Sequence, residues 1–477
     1  MAACLEDILQ YAMVTIRFYS LAQLRSVQYN RKIVKLKCRE VSLMIVCKFG
    51  GSSVAEAQQV RKVKQIVDSD PRRQIVIVSA PGKRTKDDEK VTDMLYACNA
   101  MVQQGLSCKD LFKKISLRYT TIFSDLGMQS KSFLPVLEEV RQMIDAGHGA
   151  EYAASRGEYL AARMVATFFG WEFLDTDPLI IINHDGTVNP QTFDNLKKTL
   201  NPKVKYVVPG FYGCDPEGKV KTFSRGGSDI TGAILACASN AETYENWTDV
   251  SGVFSVDPRL VSDAKVIKEM TYREVRELAG VGAGVFHEEA IAPILASGIP
   301  INVKNTNEPQ DSGTMILPTR EIGDHRLVGV SAKGGLSRLS LRKLMLFKRS
   351  GIRHALLTML HIFGIRPSFS LFGIDSMVWF FETTQASDSV LNVMCIRLKS
   401  EFDLEEVGVD HGYAIVGIVG AGVMQDSSVI AKSTTALAND KIELNFFNYG
   451  SSDTSILIGV NGDQAQDAVK SLYKALF

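Results

Sequence analysis

Two glycine pairs in the sequence stand beside charged residues that suit the binding of anions. The first segment, 46–53, reads VCKFGGSS, and the second, 225–231, reads RGGSDIT. Glycine lets the backbone approach a phosphate closely, and the N-terminus of a following helix presents unpaired N–H groups to it. Lys48 adds a cation to the first segment, which is not a Walker A loop. Taken alone, a glycine pair after a strand is more often only a tight turn.

The second segment carries more chemistry than a turn requires. The guanidinium of Arg225 suits bidentate capture of a carboxylate, and the carboxylate of Asp229 suits the orientation of a lysine or the binding of Mg²⁺. Ser228 and Asp229 are also common helix N-caps, so a structural role is the alternative. Because Arg, two Gly and Asp occur together, we favour an anion site to which both segments contribute.

Short β-branched runs alternate with helical patterns from residue 44 to about residue 307. The apolar runs 75–78 and 206–208 each lead to Pro-Gly, and Val60, Val63 and Ile66 recur between them at helical spacing. Strands that are buried on both faces and separated by helices indicate an α/β fold, a three-layer αβα sandwich with a mainly parallel sheet. Ligands bind beyond the carboxyl ends of the strands in such sheets.

After about residue 325 a smaller pattern of strands and helices occurs twice. The first copy is predicted from strands at 339–347 and 376–381 and a helix at 352–363, and the second from strands at 414–419 and 455–460. Two ferredoxin-like βαββαβ units explain this repeat. The predicted organisation is an N-terminal extension of unknown role (1–43), a catalytic domain (44–310) and two small domains (325–408 and 409–477).

These motifs resemble those of the aspartate kinases, in the amino acid kinase superfamily. The resemblance is carried by 48–53, 225–229, WTDV at 247–250 and VDPR at 256–259. It extends from residue 44 to the C-terminus, because that family has tandem ACT domains where the repeat lies. It implies that ATP, with Mg²⁺, phosphorylates the side-chain carboxylate of L-aspartate to give 4-phospho-L-aspartate and ADP. This reaction is the first step of lysine, threonine and methionine biosynthesis.

The reaction agrees with the residues that the sequence offers. A carboxylate nucleophile is already ionised at neutral pH, so no general base is required. Catalysis then depends on positioning and on cations near the transferring phosphoryl group. We assign Lys48 to neutralising that group and Asp229 to orienting it or a metal ion, and we name no protein metal ligand beyond this.

The resemblance also implies the binding residues. Arg225 would bind the α-carboxylate of aspartate and Glu158 its ammonium group, although a glutamate is otherwise more often a solvated residue on a helix face. The other substrate contacts would come from Ser79, Thr92, Phe211 and Ser228. The nucleotide contacts would come from Lys48, Gly50, Gly51, Gly226, Gly227, Thr248, Asp249, Phe254, Asp257 and Arg259. Thr92 follows a charged segment, 83–90, that is typical of a mobile loop.

Two positions depart from the family pattern. Phe254 stands where the family often has tyrosine, and Gly284 stands where many members have a lysine. The loss of that lysine leaves a second function open, an amino-acid-binding regulatory protein with an inactive kinase domain. A third alternative is a kinase for another acidic amino acid or its N-acylated form. Glu158 argues against N-acylation, because it would pair with a free ammonium group.

The two ACT domains imply feedback control by lysine or threonine and a homodimer or larger homo-oligomer formed through them. The predicted effector contacts are Met345, Gly351, Ser370, Asp375 and Ser376. The alternative is a purely structural repeat, because allosteric coupling has to be measured as a difference in affinity.

The composition sets the remaining limits. The 54 Lys and Arg and 53 Asp and Glu give a net charge of +1, which offers no electrostatic argument for binding nucleic acid or an anionic membrane. The 8 cysteines form no C-x-x-C pair, which favours reduced thiols in the cytoplasm. Charged residues interrupt every apolar run before it reaches the roughly 18 residues that span a bilayer, so no membrane contact is expected.

Overall fold

The computed structural model describes residues 43–224, 226–284, 288–323, 325–348 and 350–477. The predictions for the extension up to residue 42 and for Arg225 therefore lie outside the described residues. The strands are β1 (Ile45–Phe49), β2 (Arg73–Val78), β3 (Glu172–Phe173), β4 (Tyr206–Pro209), β5 (Tyr212–Cys214), β6 (Val220–Thr222), β7 (Thr243–Thr248), β8 (Glu269–Thr271), β9 (Ile301–Asn305), β10 (Thr314–Leu317), β11 (Gly329–Arg342), β12 (Phe369–Phe372), β13 (Ser376–Glu382), β14 (Glu406–Val419), β15 (Leu444–Asn448) and β16 (Ser455–Asn461).

The helices separate these strands as the apolar spacing predicts. They are α1 (Ala57–Asp68), α2 (Val91–Gln103), α3 (Lys109–Asp125), α4 (Leu134–Asp145), α5 (Ala150–Phe169), α6 (Gln191–Thr199), α7 (Gly227–Ser239), α8 (Tyr272–Gly280), α9 (Ala292–Leu295), α10 (Ile352–Ile362), α11 (Asp388–Phe402), α12 (Ser428–Asn439) and α13 (Ala465–Leu476). Within the described ranges, no helix combines the length and the apolar character needed to cross a membrane.

The first large sheet has eight strands in the order β3-β4-β2-β1-β7-β9-β10-β8. Its neighbours are parallel except for the antiparallel pair β9 and β10. Successive side chains of β1 point to opposite faces, so Cys47 and Phe49 join a core with α1 to α5 while Val46 joins a core with α6 to α9. The predicted αβα sandwich is confirmed. Because β10 belongs to this sheet, the sandwich continues beyond residue 310.

The second large sheet has six antiparallel strands in the order β12-β13-β11-β14-β16-β15. Its central strands, β11 and β14, are each 14 residues long and pair with one another along their length. At one end of this pair, β13 pairs with β11 and β12 pairs with β13, and α10 and α11 pack on these strands. At the other end, β16 pairs with β14 and β15 pairs with β16, and α12 and α13 pack on them. Each end therefore forms a four-stranded unit with two helices.

The chain order of these two units differs from a simple tandem repeat. Residues 329–333 of β11 pair with residues 415–419 of β14 in the second unit, and the whole first unit, 336–411, is inserted between them. The proposed boundary between residues 408 and 409 falls inside β14. The strand predicted at 339–347 ends earlier, at Arg342, because Met345 has a positive φ of 58° in the turn that follows.

Helix α8 connects the sandwich to the second sheet. Glu274 closes a capping box with Thr271 at the start of the helix. Its carboxylate also pairs with Arg320 at 2.6 Å and accepts a hydrogen bond from the backbone N–H of Ala421 at 2.7 Å. One turn later, Glu277 accepts hydrogen bonds from two serine hydroxyls of the second unit.

Candidate active site

Lys48 and Asp229 are in contact at the carboxyl end of β1, an inner strand of the eight-stranded sheet. Lys48 lies near the carboxyl end of β1, and Asp229 lies in the first turn of α7. The ammonium nitrogen of Lys48 is 2.5 Å from Oδ1 of Asp229, and both side chains are largely buried. Lys48 and Asp229 are 181 residues apart in the chain (229 − 48) and are joined in one site, as the glycine motifs predict. The site lies where parallel sheets bind ligands.

Asn246 is a third member of this group that the sequence reasoning missed. It lies on β7 directly beside Lys48 in the sheet register and is 3% exposed. Its amide nitrogen donates to Oδ1 of Asp229 at 3.0 Å, and its amide oxygen lies 3.5 Å from the Lys48 ammonium nitrogen. The signal in the sequence is a polar residue inside a buried strand, one position before the WTDV segment.

The first glycine pair packs against the loop that follows β2. Gly82 donates from its backbone N–H to the carbonyl oxygen of Gly51 at 2.8 Å, and Ser79 donates in the same way to Phe49 at 3.2 Å. A Cβ atom on Gly51 would lie 2.7 Å from the carbonyl oxygen of Ala80. Glycine is therefore required at residue 51 by backbone contact, and this contact fixes the two loops beside each other.

Glu158 is buried in the middle of α5, close to the same loop. Burial raises the pKa of its carboxyl group to about 7, against the opposing effects of the Ala80 and Glu158 backbone N–H groups and of Arg156. Its Oε2 atom is buried and has no hydrogen-bond partner among the described residues. An uncompensated buried carboxylate is costly, so this atom is suited to a cationic group of a ligand.

Phe211 and Ser228 are brought together by the loop after β4. A Cβ atom on Gly210 would lie 2.5 Å from the Ser228 hydroxyl oxygen, and one on Gly227 would lie 2.7 Å from the Phe211 ring. Phe211 itself has a positive φ of 81°, which is unusual for a residue with a large side chain. Strained residues of this kind concentrate at ligand sites. Gly226, with a φ of 68°, is the N-cap of α7.

Only some of the predicted nucleotide-binding residues lie close to Lys48 and Asp229. Thr248 ends β7, and its hydroxyl donates to the carboxylate of the following Asp249 at 3.2 Å, while Phe254 forms an isolated bridge with Val266. Asp257 and Arg259 form a 2.6 Å ion pair, and the Arg259 side chain is 88% exposed. Among the described contacts none connects Arg259 to Lys48 or Asp229. Gly284 lies beside residues outside the described ranges.

The predicted effector residues lie in the first four-stranded unit, 336–411, which is called the first regulatory unit below. Two of them, Met345 and Asp375, are in direct contact. Met345 donates from its backbone N–H to the Asp375 carboxylate at 2.7 Å, and Ser376 accepts a backbone hydrogen bond from Gly373 at 2.9 Å. Gly351 is the N-cap of α10, and Ser370 lies on the edge strand β12.

Thr92, a predicted substrate contact, lies half-buried in the first turn of α2.

Comparison with known proteins gives the class to which this fold and site belong. The model of the amino acid kinase family matches residues 44–305, and an ACT domain model matches residues 416–476. The first match covers the sandwich as far as the end of β9 and includes the Lys48 and Asp229 segments. The chain belongs to the amino acid kinase family.

The relatives narrow the class to one activity. Aspartokinase 3 of Bacillus subtilis is 33% identical over 448 residues, which cover 91% of this chain and 99% of that protein. The crystal structure of aspartate kinase from Clostridium acetobutylicum is 39% identical, with a TM-score of 0.80 over 91% of this chain and 100% of that one. The lysine-sensitive aspartokinase 3 of Escherichia coli is 25% identical over 92% of this chain and 100% of that protein. The chain is an aspartate kinase.

Proposed function

We propose that the group formed by Lys48, Asp229 and Asn246 transfers the γ-phosphoryl group of ATP to the side-chain carboxylate of L-aspartate. One carboxylate oxygen attacks the γ-phosphorus while the bond from that phosphorus to the bridging oxygen of ADP breaks. The bonding electrons leave on ADP, and the products are 4-phospho-L-aspartate and ADP. The observation that carries this proposal is the 2.5 Å contact between Lys48 and Asp229 at the carboxyl end of the sheet.

The surroundings of Lys48 suit this reaction. The transferring phosphoryl group is anionic throughout, so a cation held in a site with little water stabilises the transition state more strongly than one in bulk water. Lys48 is held from one side by Asp229 and Asn246, which fixes the ammonium group before the substrates bind. Of the first glycine pair, Gly51 would present its backbone N–H group to the phosphates, because that of Gly50 donates to the carbonyl oxygen of Trp247 at 3.0 Å.

Mg²⁺ fits the same site through Asp229. The contacts of this carboxylate with Lys48 and Asn246 both use Oδ1, so Oδ2 is oriented away from them and can serve as a hard oxygen ligand. When bound with ATP, Mg²⁺ neutralises charge on the phosphate oxygens. Among the described residues no group of three or more His, Cys, Asp or Glu side chains lies together.

The amino-acid side of the proposal depends on Glu158. The buried Oε2 atom of this carboxylate would pair with the ammonium group of aspartate, and Ser79, Thr92, Phe211 and Ser228 would contact the rest of the substrate. Arg225 would bind the α-carboxylate. An N-acylated substrate has no cation to offer Glu158, which favours free aspartate.

The reaction is tested by measuring ADP release with ATP, Mg²⁺ and L-aspartate, L-glutamate or N-acetyl-L-glutamate, with hydroxylamine to trap the acyl phosphate. We expect activity with aspartate alone. Lys48→Ala and Asp229→Ala should each lower kcat by about 100-fold or more, as expected for loss of a preorganised electrostatic group. Lys62→Ala is the matched control, because Lys62 lies half-buried on α1 and its described hydrogen bond is to Asn307. Turnover within tenfold of wild type in both site variants would contradict their roles.

We also propose that the first regulatory unit binds an effector amino acid, lysine or threonine, near Met345, Gly351, Ser370, Asp375 and Ser376. The turn after β11 and the segment before β13 lie together here, through the bond from Met345 to Asp375. The E. coli relative is a lysine-sensitive enzyme, which favours lysine. Titrating lysine and threonine, alone and together, against activity tests this proposal. Inhibition by neither would contradict it.

A homodimer or larger homo-oligomer is the assembly that we propose. β12 is the edge strand of the six-stranded sheet, and Ile374 beside it is 88% exposed. Edge strands with apolar neighbours are templates for pairing with a second chain. Light scattering coupled to size-exclusion chromatography should give at least twice the monomer mass, and Ile374→Lys should lower it. A monomeric wild-type protein would contradict the assembly. The six described cysteines are unpaired thiols, which supports the cytoplasm as the compartment.

A further inference from the structure

We propose that Arg118 is a positioning residue for the amino-acid subsite, a role that rests on the proposed function. Arg118 lies on α3, which contributes no predicted substrate contact. Its guanidinium is buried, with a side chain that is 4% exposed. It donates to the carbonyl oxygen of Gly82 and to the carboxylate of Asp88. Both partners belong to the loop between β2 and α2, which begins at Ser79.

The Asp88 carboxylate organises the far end of this loop. It accepts hydrogen bonds from the backbone N–H of Arg84 at 3.0 Å and from the Arg84 side chain at 2.9 Å, in addition to Arg118. These bonds to Arg84 and Arg118 hold the pKa of Asp88 well below its usual value, against the opposing effect of burial. The charged segment 83–90 is therefore closed on itself and fastened to α3.

The near end of the loop builds the subsite. The backbone N–H of Ala80 lies at the Glu158 carboxylate and lowers its pKa. Gly82 is bonded to Gly51 of the glycine turn at 2.8 Å. A Cβ atom on Gly157 would lie 2.8 Å from the Cβ of Ala80, so α5 and the loop are in tight contact at this point. A displacement of the loop changes the surroundings of Glu158 and of the glycine turn together.

Helix α3 also contacts α5, the helix that carries Glu158, through Tyr119. The Tyr119 hydroxyl donates to the carbonyl oxygen of Gly157 at 2.7 Å, directly before Glu158. Arg118 and Tyr119 thus fix the loop and α5 to one helix. The planar fork of arginine holds Asp88 with one terminal nitrogen and Gly82 with the other, whereas a lysine offers a single point charge without this fixed geometry. The geometry assigns Arg118 to setting the distance between Ala80 and Glu158.

The test compares Arg118→Gln, Arg118→Lys and Asp88→Asn with wild type in steady-state kinetics and in calorimetric titration with L-aspartate. We expect the KM and Kd for aspartate to rise about tenfold or more, because small misplacement of a binding group is costly. The KM for ATP should rise by a smaller factor than the KM for aspartate, because the loop reaches the glycine turn through the bond from Gly82 to Gly51. Arg141→Gln is the matched control, since Arg141 pairs with Glu138 and Asp145 on α4 and does not touch the loop.

A second measurement separates positioning from general loss of structure. If the Ala80 N–H moves away from Glu158, the pKa of this carboxyl rises further, so the rising limb of kcat/KM for aspartate shifts to higher pH. Should Arg118→Gln not fold, Asp88→Asn carries the test, because it leaves the bond from Arg118 to Gly82. An aspartate KM and a pH profile that match wild type in the folded variants would overturn the inference. A wild-type chain without aspartate-dependent ADP release would overturn the proposed function instead.

Discussion

Asn246 bonds through its amide to both members of the charged pair, so the ammonium group of Lys48 is not held by Asp229 alone. The amide donates to the acid and accepts from the base. Hydrogen bonds to charged groups contribute about 1.5–3 kcal/mol each. The geometry of the charged pair therefore depends on a residue that carries no charge.

Replacing this amide tests the arrangement. Asn246→Leu keeps the approximate volume and removes both polar contacts, so we expect kcat to fall about 10- to 100-fold, the equivalent of the 1.5–3 kcal/mol above. Asn302→Leu, on the neighbouring strand β9, is the control. The side-chain oxygen of Asn302 is buried without a hydrogen-bond partner, so its loss should not lower the free energy of unfolding or change kcat. Equal kcat values in the two variants would contradict the role of Asn246.

Glu158 gives the enzyme a pH dependence that can be measured. Its pKa is raised to about 7 by burial, and only the ionised form pairs with a substrate ammonium group. We therefore expect kcat/KM for aspartate to rise with pH through about 7, and Glu158→Gln to lower kcat/KM about 10- to 100-fold and flatten this rise. A profile in the variant that still rises near pH 7 would assign the titration to another group.

The same group affects stability in the opposite direction. A carboxyl whose pKa is higher in the folded state than in the unfolded state binds its proton more tightly when folded. Its contribution to stability is complete below the unfolded value of 4.5 and is lost as the pH rises to about 7. Urea unfolding of the free enzyme should show this loss in the wild type, and Glu158→Gln should remove it.

The residues of the charged pair could be predicted from sequence because they belong to motifs. Lys48 and Asp229 stand beside glycine pairs, and such pairs indicate where the backbone approaches a ligand. Asn246 and Arg118 could not be found in this way. Each acts through a partner that is distant in the chain, 17 residues away for Asn246 and 30 for Arg118, and neither stands in a pattern of its own.

The turn after β1 and the loop after β2 are held together by backbone contacts, which gives a prediction for these elements. Gly51→Ala would bring a Cβ atom to 2.7 Å from the Ala80 carbonyl oxygen. Because the obstructing atom is backbone, we expect a loss of about 1–3 kcal/mol in the free energy of unfolding, together with lower activity. Gly280→Ala, at the end of α8, is the control.

Gly280, the control position, has space for a side chain. No atom lies within 4 Å of a Cβ at Gly280, so Ala there should be neutral or stabilise by up to about 1 kcal/mol. Chemical unfolding of both variants checks the pair. A Gly51→Ala protein as stable as Gly280→Ala would mean that the two loops can separate without cost.

Most helices and strands could be predicted from apolar periodicity, but the residues at which they begin and end could not. The strand predicted at 414–419 begins earlier, at Glu406. The prediction missed residues 406–413 because they are exposed or half-buried and lack an apolar run. The segment 344–346 is apolar and is typical of a strand, yet Leu346 is buried in the first unit's core from a short 3-10 helix, Leu346–Lys348. Burial from such a helix and burial from a strand leave the same pattern of residue types.

The joint between the catalytic sandwich and the regulatory sheet contains a buried ion pair. Arg320 and Glu274 have side chains that are 3% and 0% exposed, and Ala421 of the second unit adds its N–H to Glu274. Burial would raise the pKa of Glu274, but the bonds from Arg320, Thr271 and Ala421 lower it. Its stabilising effect is therefore present above the ordinary carboxyl pKa and is lost as the pH falls below it.

Removing one partner of this pair should destabilise the molecule strongly. Arg320→Met leaves a buried carboxylate without a counter-charge, and we expect a loss of about 3–5 kcal/mol in the free energy of unfolding. Arg273→Met removes a nearby pair with Asp453 whose side chains are 70% and 71% exposed, and should change it by less than about 1 kcal/mol. Urea unfolding of both variants checks the difference. Equal losses would show that burial of this pair has no energetic consequence.

The number of small units could be predicted from the repeat, but their connection could not. The repeat in the sequence predicts two similar units in succession, whereas the structure inserts one unit into the other through β11 and β14. Strand pairing between residues 329–333 and 415–419 is not visible in residue types. A repeat indicates that two units are present and gives no information on which strand completes which sheet.

This insertion brings the two ends of the first unit together. Lys333 and Ile415 are direct partners across an antiparallel pair, so their Cα atoms lie within about 6 Å. Once residues 336–412 were deleted, the four residues Gly334, Gly335, Tyr413 and Ala414 could close that gap as a hairpin loop. The part of the enzyme proposed to sense the effector is thus a cassette with one entry and one exit, which could be removed or exchanged with a relative's without cutting the catalytic domain.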